Sequence, residues 1–167
     1  FINDQTGAVV IPGSASGALA PAALVLAARR FPERRAGYLR VAIAAAEHFD
    51  CGFLRRGFTN GGPGDAAQCP DSESAAGLLE SCVTLFEETR DPHWLSAARR
   101  AATHLASWTV SYDFPFPPQS TFGKMGMLAN GTVLANAQNK HSAPGICTHG
   151  GLSLLRLFRH TDERWIM

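Results

Sequence analysis

The chain has 167 residues, room for one ordinary domain with a sizeable core. A net charge of +1 gives no electrostatic basis for binding nucleic acid or an anionic membrane. A charged fraction of 17%, below the usual quarter, favours close helix packing over a heavily solvated surface. No apolar run reaches the length of a membrane span, and no basic-apolar-small leader opens the sequence, so partners are sought in pockets and the compartment stays open.

Residues 1–15, FINDQTGAVVIPGSA, read as a lead-in segment with a short extended signal from Ala8 to Ile11, ended by Pro12 and Gly13. Residues 16–167 read as one domain. The run GALAPAALVLAARRF is almost wholly apolar until Arg29, and Pro21 permits a helix only if it starts near Ala20. A helix that is apolar all round is normally enclosed by others. After Pro32, the spacing of Tyr38, Val41, Ala42, Ala45 and Phe49 predicts a second helix ending between Gly52 and Gly57. FTNGGPGDAAQCP, residues 58–70, is a Gly/Pro/Asn loop.

The most complete unit follows. Ala75, Leu79, Cys82, Val83 and Phe86 form the stripe of an amphipathic helix running from about Ser72 to Glu88. Asp91-Pro92 is a restart signal, because an Asp N-cap accepts from first-turn amides and proline's missing N–H costs nothing at the first helical position. Trp94, Ala98, Ala101, Ala102, Leu105 and Trp108 continue with helical spacing, so the two helices should lie antiparallel with their stripes together. The long connection of residues 113–141 carries three phenylalanines, which argues for order and a functional role. A third unit starts near Ser142, with Leu152, Leu155 and Phe158 at helical spacing, and restarts at Thr161-Asp162-Glu163-Arg164-Trp165-Ile166. The sequence stops at Met167, one turn into the helix expected there.

An internal repeat links these units. Tyr38-Leu39, Trp94-Leu95 and Trp165-Ile166 each open a second helix, seven or eight residues after Phe31, Phe86 and Phe158. Short connections lie within hairpins and long ones between them, the pattern of stacked αα-hairpins. The spacings, 56 residues from Tyr38 to Trp94 and 71 from Trp94 to Trp165, are too long and unequal for arrays with repeats of about 34 or about 40–47 residues. The hairpin order, the TRDPHWL and TDERWI restarts and the decorated loops resemble the six-hairpin glycosidase superfamily. That resemblance implies an all-α (α/α)6 toroid of sugar-active enzymes, of which this chain would supply about half.

In such a ring the long loops and the N-termini of the first helices share one end, where free amides and the helix dipole suit an anionic sugar or carboxylate. Asp71 and Glu73 stand there, with Asp65 shortly before. Glycoside hydrolysis needs two carboxyl groups, yet residues two apart do not share a helix face, so one of them would pair with an acid elsewhere. Simple capping by Asp71 or Ser72, with Glu73 complementing the dipole, is the competing reading. Asn139, Lys140, His141 and His149 belong to the densest polar-small cluster, where a histidine can act as acid/base or hold a sugar hydroxyl, or merely bond loop backbone. Trp108 and Tyr112, with Phe114, Phe116 and Phe122, offer aromatic faces for sugar stacking or glue for the loop; Trp108 also fits the core, and Tyr112 is the freest candidate.

His141, Cys147 and His149 lack a familiar structural-zinc spacing, so no metal and no cofactor is expected. Cys147-Thr148-His149-Gly150-Gly151 is similar to the Cys-His-Gly zinc element of lanthionine cyclase-like toroids but departs from it at Thr148, and no upstream Trp-Cys element is present. Cys82 reads as a buried thiol, while a bond between Cys69 and Cys147 would mean an oxidising compartment. Asn130-Gly131-Thr132 fits a glycosylation sequon or a tight turn. The leading expectation is a glycoside hydrolase acting on oligosaccharides, including uronic-acid-containing ones, with Asp71, Glu73 and His141 catalytic and Asp65, Trp108, Tyr112, Asn139, Lys140 and His149 binding substrate. A sugar lyase or epimerase on the same toroid, or a non-catalytic helical-repeat scaffold, is the alternative.

Overall fold

The computed structural model describes residues 3–10, 15–57, 69–137 and 144–167, with side chains from residue 151 onward in the last stretch. All of its extended secondary structure is helical. The elements are α1 (Ala20–Arg30), α2 (Arg35–Gly52), α3 (Ser72–Thr89), α4 (Pro92–Ala106), the single turn α5 (Thr121–Lys124) and α6 (Pro144–Thr161). Short 3-10 turns occupy Pro32–Arg34, Leu54–Arg56 and Arg164–Ile166. No helix among the described residues is long and apolar enough to cross a membrane.

The starts and stops have local causes. Pro21 sits in the first turn of α1 and Pro92 in that of α4, where no amide is needed. Asp91 caps α4 by accepting from the His93 amide at 2.9 Å. Arg90 takes a left-handed conformation, φ 61°, and ends α3 so that its amide bonds back to Phe86 O. The chain therefore reverses within two residues and lays α4 against α3.

Helix α3 is the centre. It packs against α1, α2, α4 and α6, while α1 also pairs with α2. Leu78, Leu79, Cys82, Val83 and Leu85 are completely buried on it, facing Val25 of α1, Ala97, Ala98 and Ala101 of α4 and Leu157 of α6. Each such large side chain contributes about 1.5–3 kcal/mol through removal from water. Small residues set the spacing: a side chain on Gly77 would press on the backbone amide of Leu19 at 3.2 Å. Polar groups drawn into this core find partners, because an unpaired donor or acceptor out of reach of water would be costly. Ser81 Oγ donates to Ala18 O at 2.6 Å and accepts from the Ala22 amide at 3.2 Å, tying the entrance of α1 to the middle of α3.

Ion pairs clamp the remaining faces. Arg156 of α6 reaches Glu80 and Glu87 of α3, each at 2.6 Å, and bonds Thr84 Oγ1 at 3.0 Å. Ser153 donates to the other oxygen of Glu80. Arg29 and Arg35 both hold Glu88. Asp50, fully buried on α2, is held by Arg55 at 2.7 Å and by Arg100 of α4 at 2.9 Å. Burial alone would raise the Asp50 carboxyl, but the two guanidiniums outweigh it and hold the group below the ordinary carboxylate value.

The expected helices at Ala20, beyond Pro32, from Ser72 and from Pro92 are present, and the third unit holds α6. Residues Arg164–Ile166 form a 3-10 turn, and the aromatic and aliphatic partners exchange roles: Trp94 is buried whereas Trp165 is half exposed and Ile166 enters the core. Glu163 accepts from Trp165 Nε1 at 2.8 Å while pairing with Arg99 at 2.6 Å, so the outward indole is tied to this ion pair. Cys69 is a free thiol, as are Cys51 and Cys82, so the bond considered for Cys69 is not made. Asn130-Gly131 forms the tight turn, with Gly131 at φ 83°.

Asp50→Ala strands two guanidiniums against a buried face. The protein is expected to lose about 3 kcal/mol in urea unfolding, near the low end for a broken buried pair because both arginines are partly exposed. Because the folded pKa of Asp50 is depressed, its stabilisation is present above the unfolded value and is lost as pH falls through the folded value. Asp50→Asn should therefore flatten the acid limb of the stability curve.

Candidate functional site

The long connection after α4 is an ordered excursion with a closed neck. Thr109 pairs with Val133 in an antiparallel bridge, the Val110 amide donates to Thr132 O at 2.9 Å, and the Leu134 amide donates to Trp108 O at 2.9 Å. Asp113 Oδ1 accepts from the Ala129 and Asn130 amides, both at 2.9 Å, drawing the two sides together. The tip is fixed by Ser120, which caps α5 through the Gly123 amide, and by Gly123, where a Cβ would meet Pro117 O at 2.2 Å. Ends this close, with packing of its own, make the excursion a self-contained loop.

The returning strand of that loop crosses the start of α3. Asp71 and Asn136 form a second antiparallel bridge, the Ser72 amide donates to Ala135 O at 3.0 Å, and the Ala137 amide donates to Pro70 O at 3.0 Å. Ser72 Oγ lies 2.6 Å from Leu134 O and 2.9 Å from Ala135 O, so its one proton is shared between two carbonyls. These bonds fix the N-terminus of α3 beneath the loop.

At that junction Asp71 is the N-cap of α3. Its Oδ2 accepts from the Ser74 amide at 3.4 Å and from Ser74 Oγ at 3.1 Å, and the residue is only 5% exposed. Glu73, two residues on, is exposed in the first turn. The two carboxylates thus face different surroundings and do not form a pair, as their spacing requires.

The residue that Asp71 addresses is His104, in the last turn of α4. The antiparallel hairpin brings the end of α4 beside the start of α3, and the Asp71 carboxylate acts on the half-buried imidazole. Burial pushes His104 below the ordinary histidine value, and Asp71 opposes that shift without overcoming it. His104 is therefore neutral at neutral pH, with one ring nitrogen able to accept a proton.

His104 also lines an open groove of about 560 Å³. Its other walls are Leu54 and Gly57 from the turn after α2 and Ser96, Arg99, Arg100, Thr103 and Ser107 from α4. The α4 residues recur at helical spacing on one polar stripe, opposite the stripe that packs on α3.

The remaining candidates from the sequence are distributed as follows. Trp108 is half buried against the core, consistent with its place on the apolar stripe of α4. Tyr112 is 66% exposed on the loop, the freest aromatic as anticipated. Phe114, Phe116 and Phe122 touch one another in edge-on contacts with ring centroids 5.2 and 5.3 Å apart, so packing within the loop is their observed role. Asp65, Asn139, Lys140 and His141 lie outside the described residues, as do the side chains of Cys147 and His149. Among the described residues no group of His, Cys, Asp and Glu side chains is arranged to hold a metal ion.

Three contributors were not anticipated: His104, Asn136 and the Arg99/Arg100 pair. The α4 stripe Ser96, Arg99, Arg100, Thr103, His104 and Ser107 carries a signal at i, i+3, i+4, i+7, i+8 and i+11 that is readable from spacing. Asn136 has no local signal, because its position depends on the fold of the whole loop. Comparison of the chain with protein-family models, with curated proteins and with solved structures yields no match.

In a titration followed by NMR, His104 should show a pKa below about 6.5. Asp71→Asn should lower it further, because the negative charge that raises it is gone. The associated stability is complete above the unfolded histidine value and is lost as pH falls through the folded one. A His104 pKa unchanged by Asp71→Asn would show that the two groups do not interact.

Proposed function

We propose that the chain belongs to a carbohydrate-active enzyme of the (α/α)6 toroid type, a glycoside hydrolase acting on oligosaccharides that include uronic acids. The observation that carries this reading is that His104, which feels the charge of the Asp71 carboxylate, lines an open groove, while the ordered loop after α4 exposes Tyr112. Such a place offers a carboxyl group, a neutral base, hydroxyl-bearing walls and an aromatic face, the elements that sugar recognition and acid/base chemistry use. In this reading Asp71 supplies the acid/base carboxyl, and neutral His104, which feels its charge, lines the groove. His141, Asn139, Lys140 and Tyr112 position the sugar. The second carboxyl group that hydrolysis needs comes from another part of the ring.

The stacking of α1, α3 and α6 around the hairpins supports the toroid, because α3 has α1 and α6 as neighbours while α2 and α4 pair with the helix each follows. A second reading, a helical scaffold that binds a protein, is favoured by one feature. Tyr112, Phe122, Met125, Met127 and Leu128 are all exposed on the same loop.

The test is turnover of a panel of neutral and uronic-acid-containing oligosaccharides, read as new reducing ends. Asp71→Asn retains a good N-cap, so its fold should persist. It should lose about 100-fold or more in kcat, in the range of a removed general acid/base, whereas Glu73→Gln should stay near wild type. Full activity in Asp71→Asn, or no reducing ends released from any member of the panel by the wild-type protein, would overturn the hydrolase reading. Release of an unsaturated, ultraviolet-absorbing product would move the assignment to a lyase.

A further inference from the structure

The groove along α4 has a charged end to which the hydrolase reading assigns no role. Arg55 and Arg100 share the single carboxylate of Asp50, through Arg55 Nε at 2.7 Å and Arg100 Nη2 at 2.9 and 3.0 Å. Asp50 is fully buried and ionised, so it neutralises one of the two guanidiniums and leaves one positive charge in excess. Arg99 is already paired with Glu163. Arg100 Nε, like Arg99 Nε, is buried and makes no well-directed hydrogen bond among the described residues, but Arg99 Nε has the Glu163 carboxylate beside it. A guanidinium anchored on one side by a buried acid and facing a cavity on the other is pre-set in orientation, which reduces the entropy lost when it binds an anion.

The rest of the wall selects what accompanies that anion. Thr103 Oγ1 donates to Arg99 O at 3.0 Å and Ser107 Oγ donates to His104 O at 2.6 Å. With their protons committed to the helix, both hydroxyls present lone pairs, as acceptors for hydroxyl donors on a ligand. Neutral His104 lines the groove between them without adding charge, and Ser96 stands near the arginine end of the stripe.

We propose that this groove is a binding site for a small hydroxylated oxyanion, a sugar acid or sugar phosphate, whose anionic group is held by Arg100 and whose hydroxyls donate to Thr103 and Ser107. The volume, about 560 Å³, is within the range of small-molecule pockets, ~300–1,000 Å³. This site rests on the sugar-binding part of the hydrolase reading, since it lies in the same groove, but it does not require that Asp71 react with anything, so binding here and turnover there are tested separately.

The experiment is a titration of the isotopically labelled full chain with glucuronate, glucose 6-phosphate, inorganic phosphate and glucose, followed through the amides of residues 96–107. Glucuronate or glucose 6-phosphate should shift those amides saturably, inorganic phosphate more weakly, and glucose not at all. The stronger of the first two identifies the anionic group. Added salt should weaken the binding. Arg100→Gln should reduce affinity about tenfold or more, the effect of one lost charge-assisted contact. Because that variant also disturbs Asp50, Thr103→Val serves as a partner. Thr103 is exposed and outside the core, so this variant should remain folded and weaken the hydroxylated ligands but not inorganic phosphate. Absence of saturable shifts with either hydroxylated anion, equal shifts with glucose, or unchanged affinity in a folded Arg100→Gln would overturn the proposal.

Discussion

The enclosure of α3 governs this structure. A helix whose residues are buried on most of its circumference needs neighbours on every side, and α1, α2, α4 and α6 supply them. The hydrophobic drive is nonspecific, so the seating of each neighbour is decided by the few polar groups that α3 carries inward. Ser81 fixes α1 by accepting and donating at one point, and Glu80 with Glu87 fixes α6 through Arg156. Leaving any of these groups unpaired would cost more than the bond itself contributes, about 1–3 kcal/mol for a buried donor or acceptor. That asymmetry makes one packing arrangement preferred over many that bury similar area.

Helix α4 turns this packing into a site. Its apolar stripe, Trp94, Ala98, Ala101 and Leu105, is spent on α3, which forces the polar stripe to face outward beside the turn after α2. The tight reversal at Arg90 and Asp91 makes the pair antiparallel, so the end of α4 comes to the start of α3 and His104 comes under the influence of Asp71. The loop between α4 and α6 then returns across Pro70 to Ser72 and closes this end of the hairpin. The apolar face of α4 thus serves the core, while its polar face carries both the groove and the Arg100 bond to Asp50.

The helices were legible because their signals are local. Pro21, Asp91-Pro92 and the spacing of Leu79, Cys82, Val83 and Phe86 each specify a start or a buried face without reference to distant residues. Asp50 was not anticipated, because the stripe read for α2 ran through Tyr38, Val41, Ala42, Ala45 and Phe49, whereas the buried residues are Ala42, Ala46 and Asp50. What local pattern does not carry is which distant groups meet. Arg55 and Arg100 for Asp50, Asn136 beside Asp71, and the exchange between Trp165 and Ile166 all depend on tertiary packing. Asp71 illustrates the division: its capping role follows from its position before Ser72, whereas its action on His104 follows only from the hairpin. At the third restart, Glu163 binds both Arg99 and the indole of Trp165, a contact that spacing does not reveal.

If α3 is the element on which the rest depends, its middle should open only when the whole domain unfolds. Native-state hydrogen exchange measures this directly. The amides of residues 79–85 should exchange at the free energy of global unfolding and be the slowest in the chain, with α4 next and the loop of residues 111–130 fastest. Exchange of α3 at a lower free energy than α4 or α1, or in a separate step while those helices stay protected, would contradict the account.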